Sequence, residues 1–88
     1  MEKPPYAETR IDRRTVIRTF SANTSSEELK WHWDDEHRVV EPMNENDWQF
    51  QFDNHLPIPI REKINIPRGV IHRVIAGSTD LVVKITRI

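Results

Sequence analysis

Apolar residues recur along this chain with a period of two rather than 3.6, so the pattern predicts strands. Thr15 to Phe20 (TVIRTF) is β-branched and aromatic and predicts a strand. Leu29 to Asp34 alternates, with Leu29, Trp31 and Trp33 on one face and Lys30, His32 and Asp34 on the other. Arg38 to Glu41 predicts a short strand ended by Pro42. Trp48 to Asp53 alternates strictly and places Trp48, Phe50 and Phe52 on a core face. Pro57 and Pro59 permit only an edge-like strand around Ile58 and Ile60. Ile64 to Ile66, Val70 to Ile75 and Leu81 to Ile88 complete the set. The four residues Ser25 to Glu28 suit one capped helical turn, but no helical apolar stripe follows them.

About eight short strands with frequent turn signals predict an all-β fold, a small antiparallel barrel or jelly-roll-like sandwich. Closing the barrel, or facing two sheets, is how so short a chain hides its strand edges. With 88 residues there is room for one domain, and we expect it over residues 15–88, preceded by an extended N-terminal arm over residues 1–14. The chain has two Gly against six Pro, so its turns rest on Asn, Asp and Pro.

Absence of Cys excludes disulfides and Cys-based zinc sites. No apolar run approaches the roughly 18 residues of a membrane span, and the polar start Met1 to Pro5 predicts no secretory leader, so a cytoplasmic protein is expected. The net charge of −1 argues against a nucleic-acid binder. That small number averages an uneven distribution: residues 27–53 hold nine acidic and two basic side chains and all three Trp. An acidic run of this kind is usually a solvated face, but it also supplies ligands for a cation.

His32 and His72 each lie within a predicted strand, whereas His55 lies in a turn and reads as a surface residue. Neutral imidazoles from two strands with a nearby carboxylate make a facial set for Fe, Zn, Ni or Mn with positions left open. Here the sequence resembles the cupin superfamily. Pro67-Arg68-Gly69-Val70-Ile71-His72 resembles its second motif, P-x-G-x-x-H, and Trp31-His32-Trp33-Asp34-Asp35-Glu36-His37 resembles a partial form of its first, H-x-H followed by Glu after three or four residues. The resemblance covers roughly Phe20 to Ile88. It implies a small β-barrel with one divalent metal at its centre. Three departures stand out: Lys30 occupies the place of the first His, Arg61 that of a Gly, and Ala76 that of an Asn.

The third ligand depends on strand parity. An inward face through Val39 and Glu41 selects His37; one through Arg38 and Val40 selects Glu36. A second register makes His32, Asp34 and His72 the set, similar to the H-x-D…H arrangement of non-haem iron oxygenases. The favoured expectation is His32, His37 and His72, with Glu36 next. Lys30, Arg38 and Arg73 are candidates for binding an anionic ligand. Arg10, Arg13, Arg14 and Arg18 read as a solvated basic patch, since no stacking aromatics accompany them. Trp31 and Trp33 are candidates for a homodimer interface. Two functional readings follow: a metal-dependent protein acting on a small anionic molecule, of dioxygenase, isomerase or lyase type, or a non-catalytic small-molecule or protein-binding barrel whose metal is lost or structural.

Overall fold

The structure, a computed structural model, describes residues 4–88; residues 1–3 of the expected arm lie outside the described residues. Its strands are β1 (Tyr6–Arg10), β2 (Thr15–Phe20), β3 (Arg38–Pro42), β4 (Gln49–Phe52), β5 (Ile58–Pro59), β6 (Ile64–Ile66), β7 (His72–Ile75) and β8 (Leu81–Arg87). They form a five-stranded sheet in the order β1-β2-β8-β3-β6 and a three-stranded sheet in the order β5-β4-β7. All the pairings are antiparallel. The chain is therefore all-β, as its period-two pattern predicts. No helix among the described residues is long and apolar enough to cross a membrane.

The two sheets face each other over one core. Leu81, Val83 and Ile85 of β8 alternate inward and are at most 5% exposed, and they meet Val16 and Phe20 from β2 and Ile64 and Ile66 from β6. From the small sheet come Phe50 and, just before β4, Trp48, which is wholly buried. Burying the Trp48 indole requires a partner for its N–H, and Nε1 donates to the Thr79 carbonyl. Trp48 and Phe50 thus take the core positions expected of them, with Phe52 packed at the margin.

Two expectations need correction. Residues 6–10 are extended but are not an arm apart from the domain: β1 pairs residue by residue with β2, from Tyr6 opposite Phe20 to Arg10 opposite Val16. Tyr6 is anchored by its ring against Phe20, the centroids 5.4 Å apart. Nor does Leu29 to Asp34 form a strand with one shared face. Leu29 is 7% exposed, while Trp31 and Trp33 are 42% and 59% exposed. The reason lies on both sides. Before it, a hydrogen-bonded turn ends with Leu29 N–H donating to the Ser26 carbonyl. After His32, the neighbouring segment is a turn at Pro67 to Val70, in which Val70 N–H donates to the Pro67 carbonyl, so it offers one further hydrogen bond, from Gly69 N–H to the Asp34 carbonyl, and no continued ladder. Only a single bridge at His32 is left.

β7 and β8 lie in different sheets, so the chain crosses between them at residues 76–80. Asp47 fastens this crossing. Its Oδ1 accepts the Ser78 N–H at 2.8 Å and its Oδ2 accepts the Ser78 hydroxyl. These hydrogen bonds from Ser78 hold the Asp47 carboxyl below its ordinary range. Gly77 passes so close that a Cβ there would sit 2.1 Å from Asp47 Oδ1 and 2.7 Å from the Asp47 carbonyl carbon. A backbone atom cannot swing aside as a side-chain tip does, so Gly77→Ala should cost about 1–3 kcal/mol. Urea unfolding at neutral pH measures this, and an unchanged midpoint would contradict the close approach.

Candidate metal centre

The site begins with backbone pairing. His32 N–H donates to the His72 carbonyl at 3.0 Å, and His72 N–H donates back to the His32 carbonyl at 2.9 Å. Residues that exchange both bonds project their side chains to the same side of the sheet. The imidazoles accordingly meet, with ring centroids 4.4 Å apart. The pairing extends one step further, where Gly69 N–H donates to the Asp34 carbonyl at 2.9 Å. Gly69 sits at φ 78°, the left-handed conformation that the third residue of a type II turn requires and that glycine adopts without strain. The Pro-Arg-Gly-Val segment is thus the turn that brings β7 in beside the Asp34 backbone.

Among the described residues, His32, Asp34 and His72 form the one group of three whose ligand atoms all lie within 4.8 Å of one another. The tautomers follow from local hydrogen bonds. His72 Nδ1 lies 2.8 Å from the Val70 carbonyl, and His32 Nδ1 lies 2.9 Å from the Lys30 carbonyl. A carbonyl only accepts, so each Nδ1 carries a hydrogen and donates it. In the neutral rings both Nε2 atoms are then bare lone pairs, as in metal sites where the second nitrogen of each histidine is tied to a carbonyl.

His72 Nε2 points at Asp34 Oδ2, 3.3 Å away. That oxygen is buried and has no hydrogen-bond partner. A lone pair facing a carboxylate oxygen in a dry place is unfavourable unless a cation or a proton stands between them. A proton on His72 is disfavoured: burial, opposed by the Val70 carbonyl, holds its pKa below the ordinary histidine range. His72 is 4% exposed and lies stacked on Phe50, the rings 5.4 Å apart at 19°. The donor set, two imidazole nitrogens and one carboxylate oxygen, therefore fits a divalent metal.

Arg38 orients the carboxylate. Its Nη1 reaches Asp34 Oδ1 at 3.2 Å, which leaves Oδ2 turned to His72. Its Nε and Nη2 donate to Glu36 Oε1 at 3.0 and 2.8 Å. Arg87 Nε approaches the same oxygen at 3.3 Å.

A cavity of about 370 Å³ opens between the sheets onto this group. Lys30, His32, Asp34, Arg38 and His72 line one part, and Phe20, Leu81 and Val83 are among its apolar walls. The inward face of β3 runs through Arg38 and Val40, both of which line the cavity, so parity selects Glu36 over His37. Glu36, however, is engaged by Arg38 and Arg87 rather than by the histidines. His37 lies outside the three-residue group, and its carbonyl accepts the Ile88 N–H. The geometry thus brings together the set of the second register, His32, Asp34 and His72.

Of the candidate anion binders, Lys30 and Arg38 line the cavity. Arg73 does not: it follows inward-facing His72, so alternation sends it to the outer face, where its guanidinium lies 4.4 Å above the Trp31 ring and its Nε donates to Gln51. Arg18, expected in a solvated patch, lines the cavity instead. Its place between Val16 and Phe20 on one strand face was the available signal.

Asp34→Asn and His72→Ala should abolish tight metal binding while His37→Ala leaves it intact, as read by zinc or nickel titration calorimetry. Arg38→Gln should weaken affinity by about 10–100-fold through the loosened carboxylate; unchanged affinity would contradict its orienting role. The metal-free protein should also respond to pH through His72. Its unfolded imidazole protonates near 6.5, while the folded one resists protonation to lower pH. The unfolded state then binds more protons in that window, so stability is full above about pH 6.5 and declines as pH falls below it. Urea midpoints across pH 5–8 read this slope, and His72→Gln should flatten it.

No family model matches the sequence, and no curated protein matches it. Solved structures do. The DMSP lyase DddQ from Ruegeria pomeroyi DSS-3 superposes with a TM-score of 0.76 over 94% of this chain, at 9% identity; the chain spans 46% of that protein's length. A cupin domain from Bordetella pertussis Tohama I gives 0.66 at 22% identity, covering 100% of this chain and 98% of that one. Protein NMB1881 from Neisseria meningitidis gives 0.61 at 15% identity, covering 100% and 87%. Two facing antiparallel sheets, histidines meeting between them and these superpositions agree: the chain has the fold of the cupin superfamily.

Proposed function

We propose that this protein holds one divalent metal through His32, Asp34 and His72 and uses it on a small anionic molecule in the cavity between the sheets. The observation that carries this reading is the bare His72 Nε2 facing the buried, unpartnered Asp34 Oδ2. His32, Asp34 and His72 would hold the metal, and three protein ligands would leave it room to bind a further molecule. When bound, the metal supplies Lewis acidity or a site for dioxygen. The protein's own part is to fix the ligands: the Val70 and Lys30 carbonyls hold the imidazoles, and Arg38 holds Asp34. A fold serves many chemistries, so lyase, isomerase and dioxygenase reactions stand together here. The likeness to a DMSP lyase supports testing lyase chemistry first.

Lys30 favours a second reading. An ammonium group cannot ligate a metal, so the site has one fewer imidazole than the family's motif supplies, and a non-catalytic binding barrel with a structural metal would tolerate that loss. A homodimer belongs to the proposal as well. It is supported by Trp31, Trp33 and Ile71, which flank His32 and His72 in the sequence and are exposed at 42%, 59% and 41%.

Metal analysis of untagged protein should give about one divalent ion per chain, falling to near zero in His72→Ala. Stable metal-free protein would contradict the metal reading, and full metal content without His72 would move the site elsewhere. Light scattering should give twice the chain mass, reverting to the monomer in Trp33→Arg.

A further inference from the structure

Strand β2 carries a charge where its pattern calls for an apolar residue. Val16 and Phe20 are buried, and the register sets Phe20 opposite Leu81 and Arg18 opposite Val83, which are buried as well. Arg18 therefore faces inward between them, lines the same cavity as the histidines, and has a side chain only 14% exposed. An arginine among such neighbours is costly unless its charge and donors are met.

The protein meets them in part. Nε donates to Glu8 Oε1 at 2.6 Å, and the guanidinium carbon lies 4.1 Å above the Tyr6 ring. Glu8 thus holds the Nε edge and Tyr6 one face. Among the described residues Nη1 and Nη2 donate to no protein atom. Arg38 is different: all three of its nitrogens are committed to Asp34 and Glu36.

We propose that Arg18 is the anion-recognising residue of the cavity. Its Nη pair, which donates to no atom of the described residues, matches the two oxygens of a carboxylate, a bidentate geometry that an ammonium does not provide. Phe20, Leu81 and Val83 would take the hydrocarbon body of the same molecule. The ligand class is then a small monocarboxylate with an apolar body. This deepens the reading of a small anionic ligand given above and rests on it.

Benzoate and its neutral isostere benzamide test the assignment. Titration calorimetry is run on the protein as purified and again after EDTA, so that coordination of benzoate to a metal cannot imitate Arg18. Wild type should prefer benzoate by about tenfold or more in both states. Arg18→Gln should erase the preference and keep the metal stoichiometry, and Arg18→Lys should retain part of it. Glu8→Gln/Arg18→Gln, which also removes the carboxylate that Arg18 pairs with, should behave as Arg18→Gln does and guards against simple misfolding. A benzoate preference that persists after EDTA in folded Arg18→Gln, or that vanishes instead in Lys30→Met, overturns the assignment, as does its absence from wild type. Wild type that is already metal-free as purified, before EDTA, and still prefers benzoate supports Arg18 while contradicting the metal centre, so the two failures are distinguishable.

Discussion

Two backbone hydrogen bonds between His32 and His72 are the constraint on which the site depends. They join a segment that is otherwise loop to the end of β7. Without that pair, the backbone bond left between this segment and the β7 side is Gly69 N–H to the Asp34 carbonyl, and the imidazoles have no reason to share a side. The pair works because the β7 strand is brought in by a turn whose third residue must adopt positive φ, the place Gly69 fills. Local chain geometry and site chemistry are therefore one problem in this fold.

Once the histidines meet, each remaining polar contact settles a degree of freedom. The Val70 and Lys30 carbonyls choose the tautomers. Arg38 takes one oxygen of Asp34 and leaves the other facing His72, and it is steadied by Glu36, which Arg87 also approaches. The result is a lone pair and a carboxylate oxygen held 3.3 Å apart in a dry pocket. Such an arrangement stores unfavourable electrostatics, which a divalent ion held by these residues would relieve.

The fold was largely legible because period-two alternation reports burial directly. β2 and β6 lie where the pattern puts them, and the inward residues of β8 read off its alternation. The alternation of Leu29, Trp31 and Trp33 misled, because a run too short of partners to pair can alternate without being a strand. Residues 6–10 were hidden for the opposite reason: an edge strand needs few apolar residues, and β1 is held by its pairing to β2 and the Tyr6 ring.

The site was half legible. His32 and His72 stand out by type and motif, but the third ligand does not. Parity along β3 excludes His37, yet parity cannot reveal that Glu36 is claimed by two arginines while Asp34 Oδ2 is left without a partner. Those are facts of side-chain pairing across the fold, as is the inward turn of Arg18. The central claim, that His32 and His72 present bare Nε2 atoms to a metal shared with Asp34, is tested most directly by long-range ¹H–¹⁵N correlation of the imidazoles during zinc titration. The account predicts Nδ1–H tautomers at His32 and His72 before zinc, and Nε2 shifts at those two residues alone after it. Nε2–H tautomers at these residues, or zinc shifts at His37 in place of His32 or His72, would contradict it.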